Sequence, residues 1–154
     1  MSIETIAQRA FMETGGQTTE NFNWQQAQLY ARLVEEEYSE FAKAHSRVDK
    51  QQGAIDALEL TEMIDGAVDL VVVAKGFLLS LGVNPQDVMR EVWDTNLAKV
   101  GKELDVSGEL VRVIPVPGVV LKRREDGKLL KPDGWKPPDF AKFNPLLRTT
   151  TKPE

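Results

Sequence analysis

The residues best placed to do chemistry in this chain are carboxylates at helical spacing. Glu35, Glu36, Glu37 and Glu40 crowd the stretch Leu33-Val34-Glu35-Glu36-Glu37-Tyr38-Ser39-Glu40-Phe41, and Glu36, Glu37 and Glu40 share one side of any helix drawn through it. Glu62, Asp65 and Asp69 follow at intervals of three and four, which makes a second stripe. Asp69 borders Leu70-Val71-Val72-Val73, a turn that is apolar on every side. An ionised carboxylate there without a partner is strongly destabilising, so it must be protonated, paired or bound to a cation. Like charges at this spacing repel, and only Lys43 and Lys75 lie within reach along the chain. If the two helices pack antiparallel with the stripes facing, six carboxylates converge at one depth. Hard divalent cations such as Mg²⁺ and Ca²⁺ are the natural counter-charge, since the stripes offer oxygen and neither histidine nor cysteine. The competing reading is a solvated face, the usual fate of a glutamate run. A second stripe beside an apolar segment favours the metal site.

Four helices are needed to carry these residues. Ser2 caps the first, whose apolar positions Ile3, Ile6, Ala7, Ala10 and Phe11 keep helical spacing until Gly15-Gly16 stops it. A polar turn over 17–23 precedes a helix over about 24–46, with Tyr38 and Phe41 on its packed side. Residues 49–53 read as a loop, and the third helix runs over about 55–81 to Gly82. Asn84 as cap and Pro85 at the first helical position open a fourth, reaching about residue 100 before Gly101. Short loops between four helices imply an all-α, four-helix bundle. From Glu109 the texture changes to two β-branched runs around Pro115-Val116-Pro117-Gly118, followed by an Asp126-Gly127 turn signal. The expectation is a C-terminal β-hairpin or extended arm. The division is thus a helical metal-binding core over 1–101 and a basic arm over 102–154, both in one domain.

Composition limits the function classes. A chain of 154 residues fits one domain that buries roughly two-thirds of its unfolded surface. The absence of cysteine rules out disulfides and thiolate chemistry and suits a cytoplasmic setting. The most apolar run, 67–81, contains Asp69 and Lys75 and is shorter than the roughly 20 residues that span a bilayer, so no membrane partner is expected. Residues 1–98 hold 7 basic and 16 acidic residues, net −9, whereas 99–154 hold 12 basic and 8 acidic, net +4. An acidic body argues against nucleic-acid duplex binding. It fits metal cations, and the basic tail fits a small polyanion. No G-x-x-x-x-G-K, G-x-G-x-x-G or G-x-S-x-G is present.

Glu36-Glu37-Tyr38-Ser39-Glu40 is an E-E-x-x-E motif, and Glu62-Met63-Ile64-Asp65 with Asp69-Leu70 resembles the second motif of the all-α nucleoside triphosphate pyrophosphohydrolases. This MazG-like superfamily includes phosphoribosyl-ATP pyrophosphohydrolase and the dimeric dUTPases. Asn96-Leu97-Ala98-Lys99 is similar to the family's N-x-x-K signature. Arg124-Glu125-Asp126-Gly127-Lys128 and Gly134-Trp135-Lys136-Pro137-Pro138-Asp139 are similar to tails of phage-type members. The resemblance covers about residues 20–140. It departs at Gly66, where many members have a glutamate three residues before the aspartate; either Asp65 or Glu62 pairs with Asp69 instead.

The resemblance implies cleavage of a nucleoside triphosphate between the α and β phosphates, releasing the monophosphate and pyrophosphate. It implies two or three Mg²⁺ ions, with Mn²⁺ as a substitute, held by Glu37, Glu40, Asp65 and Asp69 and optionally Glu62, and Glu36 as the base. Lys99 and Asn96 would contact phosphate or sugar. Against this, a lysine near a helix end is favoured by the dipole alone. Trp24 and Trp135 either stack on the base or simply pack, and Lys128 either holds phosphate or belongs to a solvated basic arm. A deoxynucleoside triphosphate, with dGTP or dATP first, is the expected substrate; dUTP, phosphoribosyl-ATP and a non-catalytic metal- or nucleotide-binding bundle are the alternatives. A homodimer or homotetramer is expected, because a small bundle cannot surround the apolar part of the third helix and because family members assemble in this way. His45 reads as a helix-end histidine, and Met12, Met63 and Met89 as core filler.

Overall fold

The computed structural model describes residues 2–50, 55–107, 110–115, 117–118 and 120–148. Four helices carry the chain: α1 Ile3–Thr14, α2 Trp24–Lys50, α3 Ala57–Ser80 and α4 Pro85–Ala98. The fold class is all-α. The chain divides into two compact units, Met1–Pro85 and Gln86–Glu154, so α1 to α3 form one and α4 belongs with the residues after it.

In the first unit, α2 and α3 pack antiparallel. The contacts climb one helix as they descend the other: Gln26 donates to Ser80, Tyr30 meets Gly76, Phe41 meets Gly66 and Arg47 pairs with Glu62. Two glycines permit the approach. A Cβ on Gly76 would overlap the Tyr30 ring, and one on Gly66 would stand 3.2 Å from the Phe41 Cα. Met12, Tyr30, Val73 and Leu79 form the core, with Leu33, Val34 and Phe77 against it. Asn23 caps α2 by accepting from the Gln26 N–H at 3.1 Å. Asp56 and Glu59 close a reciprocal capping box on α3. α2 continues through Asp49 and Lys50, which the sequence pattern puts in a loop; the rest of that expected loop lies outside the described residues.

Two expected faces are reversed or open. α1 buries Thr5, Gln8 and Met12 and exposes Ile3, Ile6 and Phe11, so its apolar stripe is not the face it packs. Tyr38, expected on the packed side of α2, is 62% exposed. On α3 only Val73 of the apolar turn is buried; Leu60, Ile64, Val68 and Val71, at intervals of four, four and three, form an exposed stripe joined by Val72. Of the methionines expected in the core, Met12 is fully buried and Met89 is exposed.

In the second unit α4 leads into a two-stranded antiparallel ladder, β1 Lys102–Ser107 with β2 Leu110–Pro115, in which Lys102 faces Pro115. The hairpin expected across Pro115-Val116-Pro117-Gly118 is not supported. Among the described residues no ladder joins the two sides of that turn, and only an isolated Arg123–Leu129 bridge follows. Pro115 and Pro117 have no N–H to donate to such a ladder. A 3₁₀ turn, Ala141–Phe143, and a short helix, α5 Pro145–Arg148, close the described chain. No helix among the described residues is long and apolar enough to cross a membrane.

Candidate active site

The antiparallel pairing sets the two acidic stripes at the same depth. Glu37 shows it most clearly. Its half-buried carboxyl is pushed above the ordinary glutamate range, first by loss of solvent and then by the charges of Asp69, Glu40, Glu36 and Asp65 in that order. Two of those charges come from α2 and two from α3. Carboxylates of both helices thus act on one group.

Beside it opens a cleft of about 290 Å³ lined by Glu40, Lys43, Arg47, Glu62, Asp65, Gly66 and Asp69. The close approach at Gly66 brings α2 and α3 together along this wall. Arg47 bridges the helices by pairing with Glu62. Glu62 therefore has a cationic partner, whereas no ion pair among the described residues engages Asp65 or Asp69. Lys75, the other lysine within reach along the chain, instead lies 3.9 Å from Glu4. Sequence reasoning missed Arg47. The signal was there, since Glu36, Glu40, Lys43 and Arg47 recur at four, three and four and so share a face.

The exposed donor set around Glu37 is carboxylate oxygen, the chemistry Mg²⁺ and Mn²⁺ take. Among the described residues, however, no three of these groups are drawn close enough to hold a metal ion. The stripes are brought together as a field of charge, not as a closed ligand cage. Trp24, first residue of α2, is 57% exposed.

The second unit gathers three of the remaining residues. Lys99 Nζ donates to Asn96 Oδ1 at 2.7 Å, and the same ammonium is 5.3 Å from the centre of the Trp135 ring. The Trp135 indole N–H donates to the Thr95 carbonyl at 2.8 Å. Lys128 is not in this group: its backbone N–H donates to Asp126 Oδ1 and its carbonyl accepts from Arg124, within a turn at Gly127. That turn is braced by the Arg124–Asp126 pair, which holds the Asp126 carboxyl below its usual range.

The comparison with individual curated proteins gives no match. The family model for phosphoribosyl-ATP pyrophosphohydrolase (PRA-PH) matches residues 4–96. The match spans both acidic stripes and ends at Asn96, so Lys99, Lys128 and Trp135 lie beyond it. With an E-E-x-x-E stripe facing a second acidic stripe across an antiparallel helix pair, and with more than half its length matched, the chain belongs to the phosphoribosyl-ATP pyrophosphohydrolase family of all-α, MazG-like nucleotide pyrophosphohydrolases.

Proposed function

We propose that this pyrophosphohydrolase cleaves a deoxynucleoside triphosphate between the α and β phosphates in a Mg²⁺-dependent reaction, releasing the monophosphate and pyrophosphate. The observation that supports this reading is the cleft between α2 and α3, lined by Glu40, Glu62, Asp65 and Asp69, beside which carboxylates of both helices raise the Glu37 carboxyl. Glu37, Glu40, Asp65 and Asp69 are the residues that would hold the metal, with Glu62 in reserve because Arg47 engages it. Mg²⁺, or Mn²⁺ in its place, neutralises phosphate charge and makes water more acidic when bound. The Glu36 carboxylate takes the proton of the attacking water. Asn96 and Lys99, which resemble the family's N-x-x-K signature, are assigned to phosphate or sugar oxygens, the lysine as a charge-assisted donor. Trp24 is a stacking surface for the base, and Lys128 an outlying phosphate contact.

The substrate reading is dGTP or dATP first. Phosphoribosyl-ATP is the second reading, favoured by the description of the matching family model; dUTP completes the set. A second copy of the chain covers the exposed α3 stripe, giving a homodimer or homotetramer.

The test is release of pyrophosphate and monophosphate from a panel of ribo- and deoxyribonucleoside triphosphates and phosphoribosyl-ATP, with Mg²⁺ and with EDTA. Turnover should need the metal, and Glu37→Gln should lower it by at least about a hundredfold, since even outer-shell partners of a metal cost up to about that factor. Release of single phosphate would overturn the reaction. Tight Mg²⁺ binding with no turnover of any substrate would replace it with a nucleotide-binding role.

A further inference from the structure

α4 presents Glu91, Thr95 and Lys99 at intervals of four, hence along one face. The irregular segment after residue 130 is fastened to that face at two levels. The Trp135 indole N–H donates to the Thr95 carbonyl at 2.8 Å, and one turn earlier on α4 the Asp139 backbone N–H donates to a Glu91 carboxylate oxygen at 3.0 Å, with Lys142 on the other oxygen. The indole is thereby tied to α4. Two ammonium groups then converge on it, Lys131 Nζ at 4.3 Å and Lys99 Nζ at 5.3 Å from the ring centre.

Two like charges within 5.3 Å of one ring centre repel, and the ring quadrupole only partly offsets this. Lys75, Lys122 and Lys142 each pair with a carboxylate, yet among the described residues neither Lys99 nor Lys131 has one within 4.0 Å. Lys99 spends one of its three donors on Asn96 Oδ1. That bond commits the amide oxygen and leaves the Asn96 NH₂ to donate elsewhere. The result is two ammonium groups, each with donors to spare, held at one indole. A single carboxylate brings one charge for two. A phosphoryl chain, with several oxygens and more than one charge, matches both.

We propose that Lys131 and Lys99, gathered on Trp135 and joined by Asn96, form a binding site for the phosphoryl chain of a nucleotide or for pyrophosphate. Lys131 is a phosphate-holding residue, and Trp135 is the positioning residue for both lysines instead of a stacking surface for a base. Only the step from anion to substrate phosphates rests on the proposed reaction; the site itself stands on the geometry of the second unit.

The test titrates inorganic pyrophosphate into the full-length chain in EDTA, by calorimetry and by the fluorescence of Trp135 in a Trp24→Phe, Trp93→Phe background. Pyrophosphate should perturb Trp135, whereas a nucleoside without phosphates should not. Lys131→Ala should weaken pyrophosphate binding by about tenfold, the loss expected for one charge-assisted hydrogen bond. Lys131→Arg should retain most of the affinity, and Trp135→Leu should lose as much as Lys131→Ala because both lysines are released. In turnover, Lys131→Ala should raise KM and leave kcat nearly unchanged. Unchanged pyrophosphate affinity in Lys131→Ala, or a Trp135 signal from the bare nucleoside, overturns the proposal. If no triphosphate is hydrolysed while pyrophosphate binding still depends on Lys131, the reaction falls and the anion site stands; if hydrolysis proceeds and Lys131→Ala is silent in both assays, the reaction stands and the anion site falls.

Discussion

Glu37 concentrates the chemistry of the first unit in a single titration. Its carboxyl is raised, so the folded chain binds that proton more tightly than the unfolded chain does. The stability linked to this group is therefore fully present below the ordinary glutamate range and is lost as pH rises through the raised value. Other groups run the opposite way, since the paired carboxyls of Glu91 and Asp126 are lowered and weaken the fold on acidification. Comparing wild type with Glu37→Gln isolates the first effect. In EDTA the variant should melt higher than wild type at pH 8, and the gap should narrow at pH 4.5, the ordinary glutamate value; Mg²⁺ should then raise the wild-type Tm at pH 8 and barely move the variant. Scanning calorimetry at the two pH values decides it, and a gap that does not change with pH would rule out repulsion at Glu37. The acidic residues were legible because helical spacing alone puts them on two stripes. Arg47 sits on the same legible face, but its partner was not legible, because which α3 residue stands opposite is a property of the pairing.

At the scale of elements, periodicity located α1 to α4 but did not say which face each would bury. α1 is the instructive failure. Its apolar stripe has the right period, yet a short helix packs whichever face its neighbours can hold, and here Met12 reaches the core while Phe11 stays outside. The hairpin was misplaced for a related reason: β-branched residues mark strands, but partner and register follow from where N–H groups are available. The α2–α3 pair rests on Gly76. Gly76→Ala gains up to about 1 kcal/mol of helix propensity and loses about 1–3 kcal/mol to overpacking against Tyr30. The net expectation is a lower Tm, and denaturant unfolding showing no loss of stability would mean that the Tyr30 ring can step aside. In the second unit, Glu91 holds both the Asp139 N–H and Lys142, and these bonds lower its carboxyl below the usual range. The fastening is therefore complete above that range and is lost as pH falls through the lowered value. An exposed ion pair contributes only about 0–1 kcal/mol to global stability, so Glu91→Gln should hardly alter Tm. It should instead speed amide exchange across 136–143 severalfold, and unchanged exchange there would show that Trp135 alone anchors the segment.

For the molecule as a whole, the charge asymmetry read along the chain persists when the residues are grouped by compact unit. Residues 1–85 carry 6 basic and 13 acidic side chains, net −7, and 86–154 carry 13 and 11, net +2. The break itself was not legible, because it falls beside a cap-and-proline signal that reads as an ordinary helix start. The apolar run of α3 is the basis for expecting a second copy. Leu60, Ile64, Val68 and Val71 remain 47 to 57% exposed along one stripe, and a large contiguous apolar face is the kind of surface that partners cover. A second copy is the occupant proposed here, because an identical stripe related by a two-fold axis is self-complementary. A stable pair buries about 800 Å² on each partner, which needs the whole stripe and its flanks. The chain should therefore elute at twice 17.2 kDa or more, and Val68→Glu, placing a charge at the middle of the stripe, should shift it to the monomer without loss of helical circular dichroism. Light scattering reads both species directly. Wild type at 17.2 kDa, or Val68→Glu still associated, would move the interface off α3.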